Sequence, residues 1–249
     1  MPVHELAQLT WEEVRDLDRA RTLVILPVGA IEAHGPHLPL DTDVLIATAM
    51  ARAGARRLAA RRHVVLILPA FAYTAASFGA AFQGTLSITG MMVGAFIVEV
   101  ARNLTQQGFS LLALANAHLD PVHLRALNEA VKLSREAHYL PIIFPNLTRK
   151  PWGSRLGDEF RSGACHAGQF ETSIVLSERP ESVREVRRAL PANPSSLSDA
   201  IYEGKETFEE AGGPRAYFGD PAAATPEEGS HLVEALGSIL EDAVIEAMG

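Results

Sequence analysis

Short apolar runs alternate with longer helix-like segments along this chain, and this alternation constrains the fold more than any other feature of the sequence. The runs that predict strands are Leu23–Val28, Val64–Leu68, Phe109–Leu114 and Leu140–Phe144. The segments that predict helices are Val44–Leu58, Gly90–Gln107, Pro121–Ala137 and Leu232–Ala247, and Phe170–Ser177 is a further core segment, helical or extended. Strands separated by such helices predict an α/β fold with a mainly parallel sheet covered on both faces. A length of 249 residues suits one domain, residues 1–249, better than two small ones.

Charge and hydropathy argue against two kinds of partner. The formal net charge is −8, and an acidic surface repels phosphate backbones, so we expect no nucleic-acid partner and no docking on an anionic membrane. No apolar run approaches the roughly 20 residues that a membrane-spanning helix needs. The stretch Met91–Val100 is apolar but carries Glu99, and it predicts a buried helix. The N-terminal residues do not have the pattern of a signal peptide.

The remaining composition is that of an ordinary globular chain. Cys165 is the only cysteine, so no intrachain disulfide is possible, which fits a cytoplasmic location. The stretch Pro191–Gly213 is poor in large apolar residues and rich in Ser, Pro and Glu. We interpret it as a surface excursion and not as a domain linker.

The densest group of metal-ligand residue types follows the first predicted strand. Glu32, His34 and Asp43 lie in one loop, and residues at i and i+2 of an extended stretch point the same way. Ligands in parallel α/β sheets bind beyond the carboxyl ends of the strands. Alternatively, Asp43 only caps the next helix and His34 only fills a turn. For all three residues together this alternative is weaker, because Gly35 and nearby prolines restrict the loop.

A second group follows the third predicted strand. His118 and Asp120 repeat the i, i+2 spacing. Taken alone, Asp120 before Pro121 is an ordinary helix N-cap; beside His118 and the first loop it becomes a candidate ligand. His123 falls on the following helix, as a surface residue or as a support behind the ligands.

A third group contains His166 and Glu171. A histidine followed by small residues and then a carboxylate suits a base beside a metal. The alternative is a helix start in which Glu171 lies near the positive end of the helix dipole. We interpret Cys165 as a small buried hydrophobic residue, since a nucleophilic thiol needs a lowered pKa.

Together, these residues predict a hydrolytic metal site. Two histidines and three carboxylates in two loops suit borderline-hard divalent ions such as Zn²⁺ or Mn²⁺. Two such ions bridged by a carboxylate and a water are a known hydrolytic arrangement. The sequence contains no Gly-rich phosphate loop, Gly-x-Ser-x-Gly elbow or Cys-x-x-Cys pair, which removes the main competing chemistries.

Five segments together resemble the creatininase (creatinine amidohydrolase) family. They are Pro27–Asp43, Phe82–Ser87 (similar to the family's Phe-Pro-Gly-Thr segment), Asn116–His118 (its Asn-Gly-His motif), His166–Ser173 (its His-Ala-Gly…Glu-Thr-Ser motif) and Gly219–Gly229. The resemblance implies a three-layer α/β/α fold, two divalent ions per subunit (Zn, Mn or Fe) and a homo-oligomer, with a hexamer as the expected assembly. It also implies a small-molecule amide as the substrate.

The resemblance also assigns roles to individual residues. Glu32 and His118 would hold one ion, His34 and Asp120 the other, and Asp43 would bridge them. His166 would transfer protons, with Glu171 as a second catalytic residue that orients it or binds a metal. Trp152 would cover the substrate, and Ser77 is predicted to contact it.

Four positions depart from creatininase itself. The residues are Asp120 in place of glutamate, Ser162 in place of a second substrate-covering tryptophan, Leu119 in place of tyrosine, and Gln169 where many relatives have glutamate. The metal site therefore carries over better than the creatinine pocket.

The leading functional prediction is an amidohydrolase that acts on a small cyclic or linear amide. Other relatives open a formamide on a pyrimidine nucleotide, for which Arg149, Lys150 and Arg155 are candidate phosphate ligands, or equally solvated loop charges. Still others cleave a C-terminal dipeptide during mycofactocin maturation. A non-catalytic metal-binding subunit is a further alternative, which the presence of His166 and Glu171 disfavours.

Overall fold

A five-stranded, wholly parallel sheet forms the centre of the molecule, which a computed structural model describes over residues 1–249. The strand order is β1-β3-β2-β4-β5. The strands are β1 (Val3–Glu5), β2 (Thr22–Val28), β3 (Val64–Ile67), β4 (Leu112–Asn116) and β5 (Ile142–Ile143). Every neighbouring pair is parallel, which confirms the predicted sheet.

Helices cover both faces of the sheet, as the predicted three-layer fold requires. They are α1 (Trp11–Arg15), α2 (Thr42–Ala60), α3 (Gly90–Gln106), α4 (Pro121–Glu136), α5 (Asp158–Arg161), α6 (Gln169–Glu178), α7 (Leu197–Tyr202) and α8 (Pro226–Met248). Successive residues of β2 point to opposite faces: Leu23 and Ile25 join a core with α2, α6 and α8, whereas Val24 and Leu26 join a core with α3 and α4.

The predicted ends of helices and strands agree best with the structure where the apolar residues recur with a clear helical period. Helices α3 and α4 begin at the predicted residues and end one residue early. Strand β4 lies further along the chain than predicted, and β5 is shorter. The segment with two interpretations, Phe170–Ser177, lies within helix α6.

The loops after β2 and β4 meet because these strands are neighbours. Val28, the last residue of β2, pairs with Asn116, the last residue of β4. The chain therefore leaves both strands at the same edge, and the loops that carry Glu32, His34 and His118 start side by side.

The segment Pro191–Gly213 is more than the surface excursion predicted for it. It contains α7, and its residues Leu197 and Phe208 are buried. They pack with Phe78 and Phe218 in a small separate cluster over the carboxyl edge of the sheet. Aromatic packing therefore fixes this segment above the loops that follow the strands.

The prediction that Met91–Val100 is wholly buried is wrong for one side of α3. Val93 and Ile97 have no exposed surface, but the side chains of Met91, Met92 and Phe96 are exposed. Helix α3 therefore buries apolar side chains on one side and exposes apolar side chains to solvent on another. No helix of the protein combines the length and hydropathy that a membrane crossing requires.

The close approach of α8 to α6 depends on Gly229. A Cβ atom there would collide with the backbone carbonyl of Ser173, in the helix that carries Glu171. We expect Gly229→Ala to lower the free energy of unfolding by roughly 1–3 kcal/mol, because backbone cannot move aside as a side chain can. The midpoint of urea unfolding measures the loss. Ser230→Ala, at the exposed neighbouring position, is the control, and equal midpoints for the two variants would contradict this account.

Candidate metal centre

The loop after β2 folds back tightly onto the start of α2. A Cβ atom on Gly29 would lie 2.5 Å from the backbone nitrogen of Val44, so only glycine permits this approach. Gly35 has a φ of +61°, a conformation that favours glycine, and its amide donates to the carbonyl oxygen of Ala216. The loop is thereby held so that Glu32 and His34 face Asp43 in the first turn of α2.

The carboxylate of Asp43 lies between two histidines. Its Oδ1 is 3.2 Å from Nε2 of His34, and its Oδ2 is 2.8 Å from Nδ1 of His118. All three side chains are almost completely buried. One oxygen for each imidazole is the arrangement of a bridging carboxylate.

Main-chain carbonyls fix the tautomers of both histidines. Nδ1 of His34 is 3.1 Å from the carbonyl oxygen of Glu32, and Nε2 of His118 is 2.8 Å from that of Ala75. A carbonyl oxygen only accepts, so these nitrogens carry the protons. In the neutral rings, the nitrogens that face Asp43 therefore keep their lone pairs, as metal-binding imidazoles do.

Two sets of ligand atoms share Asp43. One contains Glu32, Asp43 and His118, and the other contains His34, Asp43 and Glu171; within each set the atoms lie within 4.8 Å of one another. A third set joins His166 to Glu32 and His34. Carboxylate oxygen with imidazole nitrogen is a donor set that suits Zn²⁺ and Mn²⁺.

The charges in this cluster call for bound cations. Burial raises the pKa of the Glu32 and Glu171 carboxyls to about 7. Burial alone lowers the pKa values of His34 and His118, but neighbouring carboxylates outweigh it and raise both to about 10. No lysine or arginine pairs with these carboxylates. Buried Glu32 Oε1 lacks a hydrogen-bond partner, which a divalent ion would supply, so the residues present fit divalent ions.

Asp120 is not brought into either set, in contrast to the role predicted for it. Its Oδ1 accepts from the backbone amides of Val122 and His123, and its Oδ2 accepts from Ser77 Oγ and the amide of Phe78. Oδ1 is used because the short side chain at the N-cap folds back onto its own helix, and Oδ2 is used by Ser77 and Phe78, outside that helix. Glu171 completes the second set instead, so of the two uses predicted for it, the structure favours binding a metal.

His166 lies beside the cluster as a neutral base. Its Nε2 donates to the carbonyl oxygen of Ala33 at 2.9 Å, which leaves a lone pair on Nδ1. Its ring lies 4.2 Å from that of His34 and 4.3 Å from that of Phe208, measured between centroids. Burial, followed by repulsion from His34, holds the pKa of His166 well below its usual value.

Neither of the two residues predicted to contact substrate lines the cavity at the cluster. Ser77 Oγ donates to Asp120 Oδ2 at 2.8 Å. Trp152 packs against the core that contains α2 and α8, and it does not line the cavity at the cluster. The structure therefore does not bring Trp152 over the ligand atoms.

Two further predictions concern His123 and Cys165, near the cluster. His123 is fully buried, and its Nε2 contacts Asn116 Oδ1 at 2.8 Å, so it is a support and not a surface residue. Burial raises the pKa of the Cys165 thiol to about 12, with Glu171 adding to the effect. This thiol is neutral near pH 7, in keeping with the apolar role predicted for it.

A narrow cavity of about 60 Å³ opens onto the cluster. Its walls include Glu32, Asp43, His118 and His166, together with Leu197 and Phe208 of the covering segment 191–213. Sequence reasoning missed the covering residues, because they belong to a segment without motif-like spacing. It also missed the carbonyls of Ala33 and Ala75, since a main-chain acceptor leaves no trace in residue type.

The fold and the buried cluster are those of an α/β enzyme with metal-ligand side chains beyond its strand ends. A comparison with family models identifies the class more closely: the model described as creatinine amidohydrolase matches residues 7–244. The chain therefore belongs to the creatininase family, whose members are hydrolases that act on C–N bonds.

Named relatives in this family differ in substrate. The chain is 32% identical to the mycofactocin precursor peptide peptidase of Mycobacterium tuberculosis strain H37Rv, over 86% of this chain and 80% of that protein. It is 30% identical to the creatinine amidohydrolase of Pseudomonas putida, over 72% of this chain and 73% of that one. A creatininase variant complexed with creatine has the same fold, with a TM-score of 0.76, 23% identity and 99% of both chains covered. Solved creatininases of this fold include Zn–Zn and Mn forms.

The metal content of variants tests which ligand set each carboxylate belongs to: Asp43 to both, Glu171 to one and Asp120 to neither. We expect Asp43→Ala to lose all bound divalent ion, because both ligand sets contain it. Glu171→Ala is expected to lose about half of the bound metal, and Asp120→Asn to keep it. Elemental analysis of dialysed protein gives the occupancy. Full loss in Asp120→Asn together with full retention in Glu171→Ala would restore the ligand set expected from the sequence.

Proposed function

We propose that this chain is a metal-dependent amidohydrolase that uses water activated by two divalent ions to hydrolyse a C–N bond of a small cyclic or linear amide. The observation that carries the proposal is the Asp43 carboxylate with one oxygen toward each of two buried imidazoles. Glu32 and His118 would complete one metal site, and His34 and Glu171 the other. Zinc and manganese are the leading metals, because solved relatives carry them, and iron is the third candidate.

Two protein side chains, His166 and Phe208, would assist the reaction beside the metal ions. When bound, two divalent ions lower the pKa of a shared water and polarise the amide carbonyl. His166, neutral and with a free lone pair on Nδ1, accepts a proton at that atom and delivers it to the leaving nitrogen. Phe208, packed face to face against His166, keeps the ring in place and excludes water from that side.

A linear amide suits the cavity better than creatinine does. The tryptophan predicted to cover the substrate lies against the core, and Ser162 stands where creatininase has its second one. One mycobacterial relative is named as a peptidase, which extends the substrate class to peptide-like amides. The nucleotide alternative is weakened, because Arg155, one of its candidate phosphate ligands, pairs with Asp242 at 2.7 Å.

We also propose that the chain forms a homo-oligomer through the exposed apolar face of α3. Met91 of α3 and Leu133 of α4 are exposed at 80% and 41%, and both line a groove between these two helices. Patches of this kind on a protein surface commonly mark contact with another protein. A second copy of this chain is the proposed occupant, and a hexamer is the assembly that the resemblance implies.

His166 provides the sharpest test of the hydrolytic role. Metal-loaded protein is expected to release amine from at least one member of a panel of cyclic amides, formamides and short peptides. On that compound, His166→Ala should lower kcat by roughly 10²–10⁴-fold, the usual contribution of a general acid–base residue. Metal content should stay unchanged. Loss of metal would make His166 a ligand, and unchanged turnover would remove it from the chemistry.

Light scattering tests the assembly. We expect a mass of several subunits at micromolar concentration, and a smaller mass for Met91→Glu, because a buried charge without a partner opposes association. Met248→Glu is the matched control, since Met248 is also exposed, at the end of α8. A monomeric native protein, or equal masses for the two variants, would rule out this face.

A further inference from the structure

Helix α6, which carries Glu171, begins without a capping side chain of its own. Its N-cap residue is Gly168, which has no side chain to accept hydrogen bonds from the amides of the first turn. The acceptor comes instead from α5, where Oε1 of Glu159 accepts from the backbone amide of Phe170 at 2.9 Å. A carboxylate at this end of a helix is also stabilised by the helix dipole.

The second oxygen of Glu159 binds a different part of the chain. Its Oε2 accepts from the backbone amide of Asp220 at 2.7 Å. The preceding residue, Gly219, exchanges two backbone hydrogen bonds with Asn193, near the start of the covering segment 191–213. One carboxylate therefore joins the start of α6 to the base of the segment that covers the ligand cluster.

Two glycines from separate segments leave the space that this carboxylate occupies. A Cβ atom on Gly168 or on Gly219 would collide with the side-chain oxygens of Glu159. Gly219 also has a φ of +87°, a conformation that favours glycine. The backbone around Glu159 is thus closed on it from both sides, and a larger residue at either position would displace the carboxylate.

The turn that leads into α6 contains a residue in a strained conformation. Ala167 is fully buried and has a φ of +53°, in the left-handed region that residues with a Cβ atom rarely adopt. Its amide donates at 2.5 Å to Oε2 of Glu171, the oxygen that lies 3.6 Å from Nε2 of His34. Such a conformation persists only where surrounding contacts hold it. The hydrogen bond from Phe170 to Glu159 is one of these contacts.

We propose that Glu159 is a positioning residue for the second metal site: it holds the first turn of α6 in place, so that the Glu171 carboxylate faces His34. This role rests on the proposed two-metal amidohydrolase function. Glu171 belongs only to the ligand set with His34 and Asp43, and the other set that contains Asp43 has no residue of α6. Loss of the Glu159 carboxylate should therefore weaken the binding of one metal ion and leave the other ion bound as before.

Dialysis of Zn²⁺-loaded protein against buffers of graded free Zn²⁺, followed by elemental analysis, tests this role. We expect the native protein to hold two ions, and Glu159→Ala to hold one of them about tenfold more weakly. This is the lower end of the usual cost of removing a residue that supports a metal ligand. The other ion is an internal control, because a general loss of stability would weaken both.

Asp158→Ala is the matched control variant. It removes the neighbouring carboxylate of α5, which is exposed and pairs with Arg161. We expect this variant to hold both ions as the native protein does.

Glu159→Gln is a milder form of the same test. It keeps the length of the side chain and one oxygen acceptor, but its NH₂ group donates and does not accept from the second backbone amide. We expect it to weaken the same ion by a smaller factor than Glu159→Ala. If Glu159→Ala misfolds, native affinity for both ions in Glu159→Gln would overturn the proposal.

Four outcomes would overturn the positioning role: a native protein that holds fewer than two ions, native affinity for both ions in Glu159→Ala, equal weakening of both ions, or the same loss in Asp158→Ala. The proposed hydrolytic function is judged separately, by amine release from the native protein. If Glu159→Ala weakens one ion selectively and the native protein hydrolyses no amide of the panel, the function fails and the positioning role stands. If the native protein hydrolyses an amide and Glu159→Ala weakens neither ion, the function stands and the positioning role fails.

Discussion

The buried carboxylate of Asp43 is the interaction on which the rest of this structure depends. It lies where the loop after β2, the loop after β4 and the first turn of α2 meet, and each of its oxygens faces a different imidazole. Glu32 and Glu171 bring further negative charge to the same buried volume, without an arginine or lysine as partner. Such an arrangement is stable only with protons or metal ions among the ligands, so the folding of these loops and the binding of cations are linked.

Backbone carbonyls determine which nitrogen of each histidine in this cluster carries a proton. The carbonyls of Glu32, Ala75 and Ala33 each accept from one ring nitrogen of a histidine. The tautomers of all three imidazoles therefore follow from the course of the loops. In two rings the remaining nitrogen faces Asp43, and in His166 it is left for proton transfer. In the proposed function, one type of contact thus sets the tautomers of two metal ligands and of one base, depending on where each loop presents its carbonyl.

Much of this architecture could be predicted from the sequence, and the failures have physical reasons. The alternation of strands and helices along the chain predicts the parallel sheet. The i, i+2 spacing of Glu32 and His34 correctly predicts that both side chains face Asp43. Strand β1 has three residues and gains its conformation from pairing with β3, so no local pattern predicts it.

The proposed second metal site was harder to predict, because Asp120 and Glu171 both lie at helix starts and only one of them faces His34. Asp120 and Glu171 both lie near helix N-termini, and residue type alone does not choose between them. The short side chain of Asp120, at the N-cap, turns back to its own helix amides. Glu171, with one more methylene and two residues inside α6, reaches Nε2 of His34 at 3.6 Å. Side-chain length and position within the first turn decide which carboxylate faces the cluster.

On the proposed function, the residues for chemistry and many of those for substrate choice come from different parts of the fold. Metal-ligand side chains come from strand ends and helix starts that the central core holds in place, and Gly29 and Gly229 leave little freedom for these elements to shift. Much of the remaining cavity wall comes from residues 147–165 and 191–213, of which Leu147 and Phe160 belong to the main core and Leu197 and Phe208 to a smaller cluster. Changes in these walls alter the space and charge that a substrate meets without moving Asp43 or its histidines. Named members of the family act on creatinine in one case and on a peptide in another, and walls of this kind are where such a difference can arise.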